Sequence, residues 1–210
     1  MTEVQLTSAA PETATSSSRL DRAARALTEI LSPAHLVIAI TFASGLATDG
    51  AWWSRIGWGL AASFFTGIVP YVVGLRAIAS GKLSSRHLPD RRERIRPMAW
   101  TIVSVLAGWA LLILAHAPAQ VLGVQVAMVS GAVTALAITL AWKISLHAGV
   151  AAAAAVCAGV LFGWWFAPVS ALLVIAVAWS RVHLRNHTPA QVVAGCIVGA
   201  TSAWPIFVFI

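Results

Sequence analysis

Apolar residues form seven long runs along the chain, and short polar junctions separate them. The runs cover approximately residues 34–49, 56–79, 97–117, 120–142, 146–166, 168–182 and 189–209. A bilayer has a hydrocarbon core about 30 Å thick, which takes about 20 apolar residues per helix, so runs of this length are typical of membrane spans. The pattern predicts an all-α, polytopic transmembrane helix bundle over residues 33–210 with six to seven spans.

The first 32 residues have a different pattern. Residues 1–18 are rich in Ser, Thr and Ala without apolar periodicity, which predicts a disordered tail. Residues 19–31 have apolar positions at helical spacing beside three arginines, which predicts an amphipathic helix on the membrane surface. A cleaved signal peptide, with small residues at 43–47, is the alternative.

Composition agrees with a membrane protein and bounds its partners. The 210 residues are 59% hydrophobic and 10% charged, with a mean hydropathy of +0.84, which leaves no room for a sizeable extramembrane domain. The net charge is +7, and the basic residues lie next to apolar runs, so anionic headgroups or phosphate are expected partners and nucleic acid is not. Cys157 and Cys196 lie inside apolar runs, which favours small core residues over a disulfide or a metal site.

The order of the runs predicts the sidedness of the bundle. Two crossings separate each polar junction from the next, so residues 80–96, 143–147 and 180–188 are expected on one face with the amino-terminal tail. Twelve of the 14 Lys and Arg residues belong to that face or to its helix ends. The positive-inside rule then makes this face cytoplasmic, in an integral protein of the plasma membrane.

The third junction, Ser180 to Gln191, has the strongest chemical pattern. Thr188 is a good N-cap, and Pro189 suits the first position of the helix that follows. His187 therefore lies at the positive end of a helix, with Gln191 one turn further on, where a phosphate oxyanion is stabilised. An ordinary interfacial loop with arginines reaching headgroups is the alternative.

The other two junctions add basic and titratable groups on the same face. Residues 90–97 contain Asp90, Arg92 and Arg96 before a helix-starting proline. In the junction at 143–147, Lys143 precedes Ser145, a possible helix cap, and His147 falls in the first turn. Basic groups that converge on two histidines are what phosphoryl transfer through a phosphohistidine requires.

In order and on one face, these junctions resemble the signature of the type 2 phosphatidic acid phosphatase superfamily of integral membrane lipid phosphatases. That signature is K-x6-R-P, then P-S-G-H, then S-R-x5-H-x3-D. The resemblance covers residues about 80 to 200 and is carried by Arg96-Pro97, by Ser145 and His147, and by Ser180, Arg181 and His187.

The resemblance implies a role for each matching residue. His187 would be the nucleophile and His147 the general acid to the leaving group. The expected phosphate ligands are Arg96, Ser145 and Arg181. The resemblance implies neither a metal nor a cofactor.

Three positions differ from the family pattern. Pro89 stands at the lysine of the first motif, so that charge is expected from Arg92 or Lys143. Leu146 replaces the glycine of the second motif. Gln191 replaces the aspartate that orients the nucleophile, and Asp90 or Glu93 could supply a carboxylate instead.

The sequence thus predicts a membrane phosphatase or pyrophosphatase that hydrolyses a polyprenyl or glycerolipid phosphate. The first alternative is a catalytically degenerate protein that binds a lipid phosphate. The second is a membrane prenyltransferase, which the loop at 90–97 superficially suggests but which needs a second Asp-rich loop that the chain lacks. No oligomeric state is predicted, because Gly195 and Gly199 could pack helices within the bundle or between chains.

Overall fold

The computed structural model describes residues 19–81 and 91–210, and the side chains of the second range from residue 95 onward. These residues form helices and connecting turns, as predicted. The helices are α1 (Arg19–Ile30), α2 (Pro33–Leu46), α3 (Trp52–Ser63), α4 (Val69–Ala79), α5 (Arg91–Leu114), α6 (Ala119–Ala141), α7 (Leu146–Phe162), α8 (Ala167–His183), α9 (Pro189–Ser202) and α10 (Ile206–Phe209).

Within residues 19–81 and 91–210, five helical stretches are long and apolar enough to cross a membrane. They are Trp52–Ala79, Ile95–Leu114, Ala119–Ala141, Trp164–His183 and Pro189–Phe209. The pair α1 and α2, bent by 46°, gives a sixth if it is counted as one span. The count of seven predicted from apolar runs is higher because α7 has 17 residues and ends at Gly163, where a φ of 97° breaks the helix.

The short helix α7 lies at the centre of the bundle and contacts α2, α6, α8 and α9. Its alanines and Cys157 are small enough for neighbouring helices to approach closely. The buried core around it consists of Ile40, Val105, Val124, Ala127, Met128, Ala153, Cys157, Ala203 and Ile206. Because other helices enclose α7, it does not need to be long enough to cross the bilayer as a lipid-facing helix would.

The closest helix contact joins α7 to α9 through three glycines. A Cβ on Gly195 would lie 2.5 Å from the carbonyl oxygen of Ser145, and a Cβ on Gly199 would overlap the carbonyl oxygen of Gly149. The Gly195 and Gly199 pair therefore packs within this chain. As a result, the first turns of α7 and α9 lie side by side.

We expect Gly199→Ala to destabilise the protein, because the added methyl group meets the α7 backbone, which cannot rotate away. Overpacking of this kind costs about 1–3 kcal/mol, seen as a lower unfolding temperature of the purified protein in detergent. Gly74→Ala is the matched control, since a Cβ there meets nothing within 4 Å. The control should be neutral, or more stable by up to about 1 kcal/mol. Equal effects of the two changes would contradict the close contact.

Candidate active site

The third motif lies in the turn between α8 and α9. The backbone N–H groups of Asn186 and His187 donate to the carbonyl oxygen of Arg181, at 3.1 and 3.2 Å. Arg185 takes a left-handed conformation with φ 53°, which reverses the chain after α8. Thr188 is the N-cap of α9 and Pro189 its first residue, as the sequence predicted. The turn thus holds buried His187 at the amino terminus of α9.

Gln191 fixes the orientation of the His187 ring. Its Oε1 accepts the backbone N–H of Thr188 at 3.3 Å, and Thr188 Oγ1 accepts the N–H of Gln191, which together form a capping box. The same Oε1 lies 3.1 Å from Nδ1 of His187. Because an amide oxygen only accepts, Nδ1 carries a proton in this contact.

A backbone hydrogen bond joins the second motif to the third. Ser145 is buried and caps α7, its hydroxyl accepting the N–H of Ala148 at 3.4 Å. The N–H of Ser145 donates to the carbonyl oxygen of Gln191 at 3.1 Å. His147, in the first turn of α7, is also buried. The structure therefore brings the start of α7, with Ser145 and His147, beside the first turn of α9.

The guanidinium of Arg181 is buried beneath α1. Arg181 is 2% exposed, and its Nη1 donates to Thr28 Oγ1 at 3.4 Å. The Thr28 hydroxyl in turn donates to Ser180 Oγ at 3.3 Å, and the Ser180 hydroxyl donates to the Val177 carbonyl oxygen at 2.8 Å. Thr28 thus supplies one of the acceptors that a buried guanidinium needs.

A second contact holds the other end of α1 on α8. Nε2 of His183 lies 2.8 Å from Oδ1 of Asp21, and the His183 ring stacks on Trp179 with centroids 5.0 Å apart. Sequence reasoning missed Asp21 and Thr28 as neighbours of the site. Their spacing from buried Ala24 is the available signal, because residues 21, 24 and 28 share one helix face.

The first motif is only partly described. Arg96 is exposed near the start of α5, and among the described side chains it makes no hydrogen bond. Arg92 lies in the backbone of α5, with its side chain outside the described part, and Asp90 lies outside the described residues altogether. Lys143 is half-buried in the connection between α6 and α7, next to the second motif.

In the ranges that the structure covers, no group of three or more His, Cys, Asp or Glu residues could hold a metal ion. Comparison with protein-family models, with curated proteins and with solved structures finds no match to this chain. The resemblance to the lipid phosphatase superfamily therefore stays a prediction from the three motifs.

For the phosphate release that the motifs predict, we expect Thr28→Val to lower kcat/KM about ten- to a hundredfold. Valine keeps the shape of threonine but removes the hydroxyl that accepts from Arg181, and a hydrogen bond to a charged group contributes about 1.5–3 kcal/mol. Thr201→Val is the matched control, because the Thr201 hydroxyl is exposed and donates within its own helix. Unchanged kcat/KM in a folded Thr28→Val protein would contradict the role of α1 in positioning Arg181.

Proposed function

We propose that the protein is an integral membrane phosphatase that hydrolyses a lipid phosphate or diphosphate through a phosphohistidine at His187. The observation that supports this best is the contact by which Gln191 orients the imidazole ring of His187. Gln191 fixes Nδ1 of His187, which makes Nε2 the nitrogen that would attack phosphorus, and a backbone hydrogen bond joins His187 to buried Arg181 at the end of α8. Ser145, tied to Gln191 by a backbone hydrogen bond, brings the second motif to this turn.

The reaction has two steps. In the first, Nε2 of His187 bonds to phosphorus as the bond from phosphorus to the leaving oxygen breaks, and His147 gives that oxygen a proton. In the second, His147 takes a proton from water as the water oxygen bonds to phosphorus, the N–P bond breaks, and phosphate leaves with both histidines returned to their starting protonation. Arg181 and Ser145 stabilise the charge on the phosphoryl oxygens in both steps. Lys143, Arg96 and Arg92 add positive charge from the first and second motifs.

Gln191 favours a second candidate function, which is binding of a lipid phosphate without turnover. The amide orients His187 but cannot stabilise an imidazolium electrostatically. In the serine protease triad, an Asp-to-amide change lowers kcat by about 10⁴, mainly because the imidazole takes the wrong tautomer. Oε1 of Gln191 accepts from Nδ1, so here only the smaller electrostatic part of that loss is expected. A site of this kind would still bind phosphate through Arg181 and the amino terminus of α9, but it would hydrolyse the ester slowly or not at all.

The face that contains the motifs is proposed to be cytoplasmic, in the plasma membrane. Twelve of the 14 Lys and Arg residues belong to this face or its helix ends, which supports the orientation by the positive-inside rule. The substrate headgroup would then enter from the inner leaflet.

The test is phosphate release by the purified protein in detergent, with EDTA present. The substrates are polyprenyl monophosphates and diphosphates, phosphatidic acid and a soluble phosphate monoester. We expect release from at least one lipid and little from the soluble ester. Binding of a lipid phosphate without release, even in a single turnover, would favour the second candidate. Release that depends on magnesium would contradict the phosphohistidine mechanism.

A further inference from the structure

An apolar cavity of about 290 Å³ opens beside the second motif. Ser145 and Leu146 lie at its mouth, where α7 begins. The cavity continues between α2, α4, α5, α6, α7 and α9, and Met128 of α6 belongs to its deepest part. Met128 lies 13 residues before the end of α6 at Ala141, which corresponds to a depth of roughly 20 Å at 1.5 Å per residue. The cavity therefore leads from the motif face past the middle of α6.

A few polar side chains lie at the inner end of this apolar cavity, and hydrogen bonds within the protein satisfy them. Thr66 lines the cavity, and its hydroxyl donates to Oε1 of buried Gln125. Nε2 of Gln125 donates to the carbonyl oxygen of Ala62 at 3.1 Å. These groups need no polar ligand, so the interior suits a hydrocarbon.

The cavity is open on the side of α6 because the α6 residues that line it are small. Gly131, Ala132 and Ala135 line the cavity there, and a Cβ on Gly131 would lie 3.1 Å from Ser202 Oγ. Larger side chains at these positions would fill the space. Leu146, which stands where the family has glycine, adds an apolar side chain at the mouth.

We propose that this cavity binds the first part of a single apolar chain, alkyl or prenyl, of a phosphate lipid whose headgroup lies at Ser145 and His187. The inference rests on the proposed function for the headgroup, but not on turnover. A methylene takes slightly less than the about 30 Å³ of a water molecule in the liquid, so the cavity holds roughly ten chain carbons. The substrate class is then a single-chain phosphate and not a diacylglycerol phosphate.

A second cavity in the described part of the chain lies away from the headgroup site. This neighbouring cavity of about 270 Å³ lies on the other side of α7, where Ala155, Phe162 and Leu173 line it. None of its lining residues belongs to the three motifs. It therefore provides a matched control for the cavity beside Ser145.

The test measures binding of non-hydrolysable phosphonates by the rise in unfolding temperature of the purified full-length protein. The probes are unbranched alkyl phosphonates of increasing length and a diacylglycerol phosphonate, in a detergent with a bulky steroidal tail. Three variants are compared with the wild type. Ala132→Leu narrows the cavity, Met128→Ala enlarges it, and Ala155→Leu makes the same substitution at a half-buried alanine of the neighbouring cavity.

In the wild type we expect affinity to rise with chain length, level off at about ten carbons, and be weaker for the diacyl probe. Ala132→Leu should move the plateau to shorter chains and weaken binding of longer ones about tenfold, the effect of one or two methylenes in a hydrophobic pocket. Met128→Ala should move the plateau to longer chains, and Ala155→Leu should leave it unchanged.

Three results would overturn the proposal: no binding of any phosphonate, equal binding of the diacyl probe, or a length profile that neither Ala132→Leu nor Met128→Ala changes. The failure of the proposed function looks different. In that case the wild type would bind the single-chain phosphonates with the expected profile but release no phosphate from the corresponding esters.

Discussion

Replacing His187 by asparagine should lower the rate of phosphate release about 10⁴-fold or more. Asparagine has no group that can form the covalent phosphoryl intermediate, and loss of the nucleophile in a covalent mechanism removes almost the whole rate enhancement. The measurement is kcat with the best lipid substrate, in EDTA. Binding of a lipid phosphonate should fall much less, because the proposed phosphate contacts with Arg181 and the amino terminus of α9 remain.

His116→Asn is the matched control for this change. His116 is exposed in the turn before α6, at the end of the bundle opposite the motifs, and its φ of 57° suits asparagine. The same substitution there should leave kcat unchanged. Comparable residual activity in the two variants would exclude His187 as the nucleophile.

Replacing Gln191 by glutamate should raise kcat, by about ten- to a hundredfold. Glutamate reaches as far as glutamine, so its carboxylate can accept from Nδ1 of His187 and from the N–H of Thr188, as Oε1 of Gln191 does. Thr and Glu three residues apart also form the usual capping box, and a negative charge is favourable at a helix amino terminus. The carboxylate adds the electrostatic stabilisation of the imidazolium that the amide lacks.

Gln120→Glu controls for the general effect of a glutamate at a helix start. Gln120 lies in the first turn of α6, near the opposite end of the bundle. This variant should keep the wild-type kcat. If Gln191→Glu were no faster than the wild type, stabilisation of the imidazolium by a charge at residue 191 would be contradicted, and a carboxylate from elsewhere would have to be sought.

The local structure of the site could be predicted from the sequence, because caps and prolines act over a few residues. Thr188 and Pro189 predicted the start of α9, and Ser145 predicted the start of α7. The apolar runs likewise predicted the all-helical fold. These signals depend on hydrogen bonds within one turn and on the length of each run.

The contacts between distant helices could not be predicted in the same way. The amphipathic pattern of α1 predicted a membrane-surface helix, whereas its Asp21 and Thr28 contact α8 across more than 150 residues of sequence. One sequence does not show which partner an amphipathic face meets. For Gly195 and Gly199 the pattern left packing within the chain or between chains open, and the position of the α7 backbone decides for the former.

The most direct test of phosphoryl transfer to His187 is to trap the phosphohistidine intermediate. A lipid substrate labelled in its terminal phosphate is mixed with excess protein. The reaction is then quenched in alkali, because phosphohistidine is stable in base. We expect transient label on the wild-type peptide that contains His187, and none in His187→Asn. Turnover of the substrate without label at any time, or label retained in the variant, would contradict the mechanism.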